Sequence, residues 1–323
     1  MKGAVFEFLK RHSSLIITTH DPADPDGLGA EKVLYLIAKS MGKHVRIINS
    51  GQMPENYRFM DTDNLVETWK DVTESLPREA ALAIVDTSDE YNIGELRDII
   101  PYASEVFFID HHEHSAFCTL KGYTDETASS VCELMVELAE AAGVTLSLSH
   151  ARAAYAGIVY DTGFFAYPKT TTRTFRAALS LIGAGVRPYD IYQALCENIS
   201  NRTLLLQRAV FSSLEIRNQG RVALQVLRKS DLEKTGANYE DTDNFVNTPM
   251  KSREIEVSIV VKENREGQIR CSLRSKGKVN VSELAQNLGG GGHITAAGFK
   301  TKMSIDETVD IILNKVSIAL EGK

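Results

Sequence analysis

Three short apolar runs of this chain end directly in acidic or imidazole side chains, and this pattern limits the possible folds more than any other feature. The runs and the residues that follow them are 15–19 with His20, 81–85 with Asp86, and 106–109 with Asp110. Uninterrupted apolar runs of this length are typical of strands that are buried on both faces of a parallel sheet. Because ligands of such sheets bind at the carboxyl ends of the strands, we expect these polar side chains to meet at one edge.

Helical patterns alternate with these runs. Apolar residues recur at helical spacing between Val33 and Met41 and again between Val131 and Ala141. The alternation predicts an α/β fold whose first domain is built on a doubly wound, mainly parallel sheet.

A second group of strand-like segments follows a mainly helical stretch. These segments and the helical pattern that closes the chain are 221–227, 256–261, 268–273 and 305–320. They predict a smaller mixed α/β domain, as expected for 323 residues, because a single core rarely grows beyond this size. We predict a first domain at residues 1–195, a helical linker at 196–212 and a second domain at 213–323.

The composition narrows the class of protein. The formal net charge of −7 argues against binding of long duplex nucleic acid through a basic surface. Four cysteines without a C-x-x-C pair suit a reducing compartment, and the N-terminus has no secretory pattern. No apolar run approaches the ~18 residues of a membrane span. We therefore expect a cytoplasmic protein without a membrane partner, and these features are compatible with a homodimer.

The segments that follow the three apolar runs, together with Asp161 in the later segment 160–163, offer the side chains of a predicted metal site. The candidate ligands are His20, Asp24, Asp26, Asp86, His111 and Asp161. Four neighbouring carboxylates repel one another unless two divalent cations balance their charges. Oxygen and imidazole donors without a thiolate favour Mn²⁺, with Mg²⁺, Co²⁺, Zn²⁺ or Fe²⁺ as alternatives. We predict two divalent cations, with Mn²⁺ as the first choice.

A simpler explanation exists for each aspartate taken alone. Aspartate is a common N-cap residue, so Asp24 or Asp26 could cap the helix that follows. Capping does not account for the adjacent His111 and His112, nor for His20 four residues before Asp24. We keep capping as the alternative for single residues and the metal site as the prediction for the set.

The predicted cation pair indicates phosphoester hydrolysis. Two cations about 3.5–4 Å apart stabilise both the attacking and the leaving oxygen of an in-line displacement at phosphorus. His112 is left over once His111 binds a cation, so it is a candidate to hydrogen-bond the scissile phosphate or to protonate the leaving oxygen. Asp110 is a candidate to orient these histidines.

The second domain contains four consecutive glycines, Gly289–Gly292, followed by His293. Glycines expose backbone N–H groups without side-chain bulk and can cradle an anion, although a glycine run can also be a flexible loop. Residues 251–278 contain eight basic and four acidic side chains, so basic charge concentrates just before the glycines. The predicted substrate-binding residues are Arg253, Arg274, Gly290, Gly291, Gly292 and His293.

Taken together, these motifs resemble those of the DHH phosphoesterase family. The residues that carry the resemblance are His20, Asp24, Asp26, Asp86, Asp110, His111, His112 and Asp161. The segment 289–298 resembles the glycine-rich signature of the DHH-associated domain. The ligand sets that the resemblance implies are His20, Asp24 and Asp86 for one metal, and Asp26, Asp86, His111 and Asp161 for the other. It also implies that His112, Arg274 and His293 contact the substrate.

Within that family, the two-domain arrangement is similar to oligoribonucleases that also act as phosphoadenosine-phosphate (pAp) phosphatases. The resemblance implies a hydrolase that releases mononucleotides from short oligoribonucleotides and acts on pAp. The two separated motifs and the uneven distribution of charge predict that the substrate is held between the two domains. A phosphodiesterase for cyclic or linear dinucleotides, such as c-di-AMP or pGpG, is the alternative within the family. A nucleotide sensor without turnover is the alternative outside enzymes.

Overall fold

The chain forms two compact units, Met1–Asn198 and Ile199–Lys323. The computed structural model describes residues 2–72, 76, 79–112, 120–242 and 244–321. Helix α7 (Asn201–Ser212), which spans most of the predicted linker, packs within the second unit. In the described part of the chain, every helix is too short or too polar to cross a membrane.

The first unit is built on a six-stranded sheet in which every neighbouring pair is parallel. Its strands are β1 Ser14–Thr18, β2 His44–Asn49, β3 Val66–Thr68, β4 Ala81–Val85, β5 Val106–Asp110 and β6 Lys121–Thr124. Their order across the sheet is β3-β2-β1-β4-β5-β6. This architecture confirms the predicted fold class. The edge strands β3 and β6 were not predicted, because neither contains an apolar run.

Helices cover the sheet on both faces. The α-helices of the first unit are α1 Lys2–Arg11, α2 Pro25–Ser40, α3 Val131–Ala141, α4 Leu148–Asp161, α5 Thr172–Gly183 and α6 Pro188–Cys196. Its 3-10 helices are Glu55–Met60, Trp69–Asp71 and Glu90–Tyr102. Successive β4 side chains alternate between two cores: Ala81, Ala83 and Val85 face the core that contains α2–α4, whereas Leu82 and Ile84 face the core that contains part of the Glu90–Tyr102 helix.

Helices α2 and α4 approach each other closely at glycines. A Cβ atom on Gly29 would lie 2.6 Å from the Ala153 carbonyl oxygen, and one on Gly157 would lie 2.9 Å from the Asp26 Cα. The two helices run antiparallel, so the first turn of α2, which contains Asp26, packs beside the last turns of α4. Glycine at these contacts therefore sets the distance between the two helices.

The second unit contains a mixed sheet and three further helices. Its strands are β7 Glu215–Arg217, β8 Val222–Leu227, β9 Val257–Glu263, β10 Ile269–Ser275, β11 Gly291–His293 and β12 Ala296–Thr301. The order is β11-β12-β10-β9-β8-β7, with only the β8–β9 pair parallel among the described pairs. The helices are α8 Lys229–Thr235, α9 Val281–Gln286 and α10 Ile305–Glu321, and short 3-10 helices occur at Glu240–Thr242, Phe245–Asn247 and Pro249–Lys251.

Replacing Gly29 by alanine tests the close packing of α2 on α4. We expect Gly29→Ala to lower the free energy of unfolding by about 1–3 kcal/mol, because the added methyl group overlaps a backbone oxygen that cannot move independently. Urea denaturation measures this change. Gly183→Ala is the matched control, since nothing lies within 4 Å of a Cβ there. Equal stability of the two variants would contradict the packing argument.

Candidate active site

The parallel register brings the strand-end residues to one edge of the sheet. Thr18 of β1 pairs with Ile84 of β4, and Val85 of β4 pairs with Ile109 of β5. The residues that follow these strands therefore emerge side by side. We use the name ligand cluster for the six predicted ligands, which the structure brings together: His20, Asp24, Asp26, Asp86, His111 and Asp161.

The first half of the ligand cluster surrounds the His20 imidazole. Its Nε2 atom lies 3.5 Å from Asp24 Oδ1 and 3.5 Å from Asp86 Oδ2. Three donor atoms of His20, Asp24 and Asp86 lie within 4.8 Å of one another, a spacing that suits a single metal ion.

The second half surrounds the buried His111 imidazole. Its Nε2 atom lies 3.0 Å from Asp161 Oδ2, 3.6 Å from Asp86 Oδ1 and 3.9 Å from Asp26 Oδ2. Asp86 thus directs one carboxylate oxygen to each histidine. A bridging carboxylate of this kind is what a pair of neighbouring cations requires.

Asp86 occupies an unusual backbone conformation at the end of β4. Its φ is 63°, in the left-handed region that few residues other than glycine, asparagine and aspartate adopt. The Asp86 N–H still donates to the Ile109 carbonyl at 2.9 Å, so β5 fixes the position of this turn. The turn aims the Asp86 side chain between the two histidines.

Burial and mutual repulsion dominate the electrostatics of the ligand cluster. Burial and the charge of Asp26 raise the pKa of Asp86 well above its ordinary value. Burial and the charge of Asp161 raise the pKa of Asp26 to about 7. Burial opposes protonation of His20, but its hydrogen bonds with Asp24 and Asp86 raise its pKa to about 11. These pKa shifts all indicate that the carboxylates of the ligand cluster need positive charge among them.

The donor atoms fit divalent cations. Asp86 Oδ1 and His111 Nε2 are buried, and within the described residues neither has a hydrogen-bond partner. The Cys132 thiol is directed to the Asp26 carbonyl at 3.2 Å, and burial raises its pKa well above the ordinary value. A site of carboxylate oxygens and imidazole nitrogens without a thiolate suits Mn²⁺ or Mg²⁺ better than softer metals.

The capping alternative is correct for Asp24, and both capping hydrogen bonds go to one of its two carboxylate oxygens. Asp24 is the N-cap of α2, and its Oδ1 accepts the N–H groups of Asp26 at 3.0 Å and Gly27 at 3.1 Å. Asp26 instead accepts N–H groups from the start of α3, from Val131 at 2.6 Å and Cys132 at 2.9 Å. A helix N-terminus stabilises the negative charge that Asp26 carries.

Asp110 organises the two histidines that follow it. Its Oδ1 accepts the N–H groups of His111 at 2.7 Å and His112 at 3.1 Å, and it lies 2.7 Å from His112 Nδ1. Burial opposes ionisation of Asp110, but the hydrogen bond with His112 lowers its pKa below the ordinary value. The pairing leaves Nε2 of the half-exposed His112 available for another partner.

The sequence reasoning missed the groups that support the ligand cluster from α3 and α5. Arg173 of α5 contacts Glu137 at 2.6 Å, Glu133 at 3.2 Å and Asp125 at 2.8 Å. These contacts hold the segment 125–133, whose N–H groups bind Asp26 and whose Ala128 carbonyl lies 3.5 Å from His111 Nδ1. No local pattern signals this role, because an arginine at the start of a helix usually faces solvent.

In the second unit, the structure places two of the predicted substrate-binding side chains on one face of the sheet. His293 pairs with Ala296 and Ala296 pairs with Arg274, so cross-strand register aligns the three positions. The next position in this row is Ser258, whose buried Oγ has no hydrogen-bond partner in the described chain. Arg253 does not join the row: its side chain is 94% exposed and lies beside Glu254.

Two of the four glycines, Gly291 and Gly292, lie in a strand, and Gly289 and Gly290 precede it. Gly291–His293 form β11, which pairs with β12. A Cβ on Gly290 would lie 2.2 Å from the Gly298 oxygen, and one on Gly292 would lie 2.5 Å from the Ala296 oxygen. Close strand contact is therefore one reason for glycine at Gly290 and Gly292, and it does not require an anion.

Comparisons with known proteins cover both units. The model of the DHH family N-terminal domain matches residues 14–158, and the DHHA1 domain model matches residues 219–320.

Two curated relatives match along almost the whole chain. The probable bifunctional oligoribonuclease and PAP phosphatase NrnA of Streptococcus mutans is 30% identical over 309 residues, 94% of each chain. The bifunctional oligoribonuclease and PAP phosphatase NrnA of Thermus thermophilus is 27% identical over 314 residues, 97% of this chain and 92% of that one.

A solved structure has the same fold across both units. The crystal structure of an exopolyphosphatase-related protein from Bacteroides fragilis has a TM-score of 0.90 and 26% sequence identity. The match covers 99% of this chain and 97% of that chain.

Loss of the shared carboxylate tests the ligand cluster. At Mn²⁺ concentrations about 100-fold above the dissociation constant, we expect the Tm of the wild type to rise by roughly 5–10 °C. Asp86→Asn should abolish this rise, because both ligand sets lose their common donor. The metal-free variant should be no less stable than the wild type, since ionised Asp86 is buried among other carboxylates.

Differential scanning calorimetry with and without Mn²⁺ measures both quantities. Asp98→Asn, at an exposed position in the Glu90–Tyr102 helix, is the matched control and should keep the full rise. An undiminished rise in Asp86→Asn would show that the cation binds elsewhere.

Proposed function

The chain belongs to the DHH phosphoesterase family, and on that premise we propose that it is a two-metal hydrolase of short oligoribonucleotides and of pAp. The observation that carries the proposal is the position of Asp86, which faces both histidines of the ligand cluster with separate oxygens. The substrate class is supported by the two relatives, whose names describe oligoribonuclease and PAP phosphatase activities.

The ligand cluster divides into two cation sites. The first consists of His20, Asp24 and Asp86, and the second consists of Asp26, Asp86, His111 and Asp161. We favour Mn²⁺ in both, with Mg²⁺ or Co²⁺ as alternatives. A bound pair would lower the pKa of a water molecule at the site and would stabilise charge on the oxygens of the reacting phosphate.

The side chains around the ligand cluster position the substrate and move the proton. A water oxygen forms a new bond to phosphorus while the bond to the leaving ribose oxygen breaks. His112 donates from Nε2 to the scissile phosphate or to the leaving oxygen, because Asp110 occupies its Nδ1. Asp110 keeps the ring in this orientation through three contacts to one oxygen.

The second unit supplies groups for the remaining phosphate of the substrate. Arg274 and His293 lie in one cross-strand row and offer a guanidinium and an imidazole to an anion. The backbone of Gly290–Gly292 is a further candidate for this contact, and the exposed Arg253 is a weaker one. A cytoplasmic location and a homodimer stay predictions.

A substrate panel tests the proposed function. With Mn²⁺, we expect faster release of mononucleotides from a dinucleotide and a pentanucleotide than from a long RNA, and release of phosphate from pAp. Initial rates measured by chromatography and a colorimetric phosphate assay give the comparison. Preference for a cyclic dinucleotide would favour the phosphodiesterase alternative, and tight binding without any release would favour a sensor. Equal turnover of short and long RNA would contradict the proposed preference for short substrates.

Removal of the Arg274 guanidinium tests the contribution of the second unit. Arg274→Ala should raise KM for the dinucleotide by roughly 10- to 100-fold, because a hydrogen bond to a charged group is lost, and should change kcat much less. The matched control is Arg270→Ala, an exposed arginine four residues earlier on β10. Steady-state kinetics separate the two parameters. A loss confined to kcat, or an equal effect in the control, would remove Arg274 from the substrate contacts.

A further inference from the structure

Two aromatic side chains on either side of Asp161 are exposed. The Tyr160 side chain precedes this residue and is 41% exposed, and Phe164 follows it by three positions and is 40% exposed. Asp161 itself belongs to the ligand cluster, with Oδ2 at 3.0 Å from His111 Nε2. Two exposed aromatic rings therefore lie within three residues of a carboxylate of the ligand cluster along the chain.

The backbone after α4 is held in a conformation that presents Phe164. Gly163, Phe164 and Phe165 have φ values of 53°, 56° and 66°, so three consecutive residues are left-handed. Residues with bulky side chains rarely adopt this conformation unless the surroundings impose it. Hydrogen bonds from Phe164 N to the Val159 carbonyl at 2.7 Å and from Phe165 N to Thr162 Oγ1 at 3.0 Å hold it.

The two phenylalanines of this turn have different environments. Phe165 packs on Tyr155 at 6.3 Å and on Phe175 at 5.1 Å between ring centroids, against the core of the first unit. Phe164 contacts Tyr192 at 5.5 Å in a near-perpendicular arrangement and stays exposed. Packing against the core therefore accounts for the position of the Phe165 ring. No such packing accounts for the position of the Phe164 ring, which stays exposed.

The Tyr160 ring is held in a similar way. It meets the Tyr57 ring at 6.2 Å and an interplanar angle of 79°. Tyr160 lies in the last turn of α4, one residue before Asp161 of the ligand cluster. Both exposed rings are thus held by edge contacts, and both belong to the chain segment that carries Asp161.

We propose that Tyr160 and Phe164 form a stacking surface for the nucleobase of the nucleotide whose phosphate lies at the ligand cluster. This assignment rests on the proposed function and adds the group that recognises the base. Aromatic rings stack on every base, so such a surface binds short RNA without reading its sequence. A neutral planar ring also suits this position, because the adjacent carboxylates would repel a second phosphate.

Fluorescence of 2-aminopurine tests the stacking directly, because this base is quenched when it stacks on an aromatic ring. The probes are two dinucleotides with a non-hydrolysable phosphonate linkage, one with 2-aminopurine at the 5′ position and one at the 3′ position. In the presence of Mn²⁺, we expect wild-type protein to quench one of them on binding. Phe164→Ala should weaken its binding by roughly 5- to 100-fold and relieve the quenching, and Phe164→Trp should restore both.

The matched control is Tyr102→Ala. Tyr102 is 81% exposed and ends the helix before β5, at the amino edge of the sheet, opposite the ligand cluster. The Tyr102→Ala variant should bind the 2-aminopurine dinucleotide and quench its fluorescence like the wild type. Circular dichroism melting confirms that each variant is folded, and Tyr160→Phe, which keeps the ring, should also retain quenching.

A second readout uses dinucleotides that lack one base. Phe164→Ala should raise KM for the complete dinucleotide but not for the analogue that lacks the stacked base. The proposal would be overturned if Phe164→Ala had equal effects on both substrates or left the quenching unchanged. It would also be overturned if the variant changed the sedimentation coefficient but not the discrimination between the two substrates. Quenching by wild type without turnover of any substrate would instead reject the proposed hydrolysis and keep the stacking surface.

Discussion

Repulsion among the four carboxylates of the ligand cluster is the constraint on which the rest of the first unit depends. Asp26 and Asp86 are buried, and neighbouring carboxylates raise the cost of ionising each of them. A fold accepts such a group only when cations or protons balance it and when the carboxylates cannot move apart. The surrounding structure meets the second condition for three of the four, because helix termini fix Asp24 and Asp26 and a turn fixes Asp86.

Three kinds of local structure provide this rigidity. Asp24 is fixed because it caps α2, and Asp26 because the first amides of α3 bind its carboxylate. Asp86 is fixed by a left-handed turn that is hydrogen-bonded to β5. Arg173 then holds the start of α3 through Glu133 and Glu137, so the support of Asp26 extends to α5. A carboxylate that serves as an N-cap or binds helix amides is oriented before any metal arrives, which reduces the entropy lost on binding.

The two units carry side chains that suit opposite charges. The first unit collects negative side chains that suit cations, whereas the second presents Arg274 and His293, which suit an anion. This division follows from the positions of the charges along the chain, because residues 251–278 carry an excess of basic side chains while the whole chain is acidic. The glycines of β11 combine two roles in this view: they allow close strand pairing, and they leave the backbone beside His293 uncovered.

The sequence alone determined the inner strands of the parallel sheet and the predicted ligands that directly follow them. Continuous apolar runs identify buried strands, and hard ligands directly after them can only gather at the carboxyl edge of a parallel sheet. Tertiary structure decided what spacing cannot reveal: the division of the Asp86 oxygens between His20 and His111, the amides of α3 that bind Asp26, and the clamp formed by Arg173. These features join residues that lie up to about a hundred positions apart, and their geometry depends on helix packing and on a backbone turn. A local pattern carries no information about either, because neighbouring residues constrain φ and side-chain partners only within a few positions.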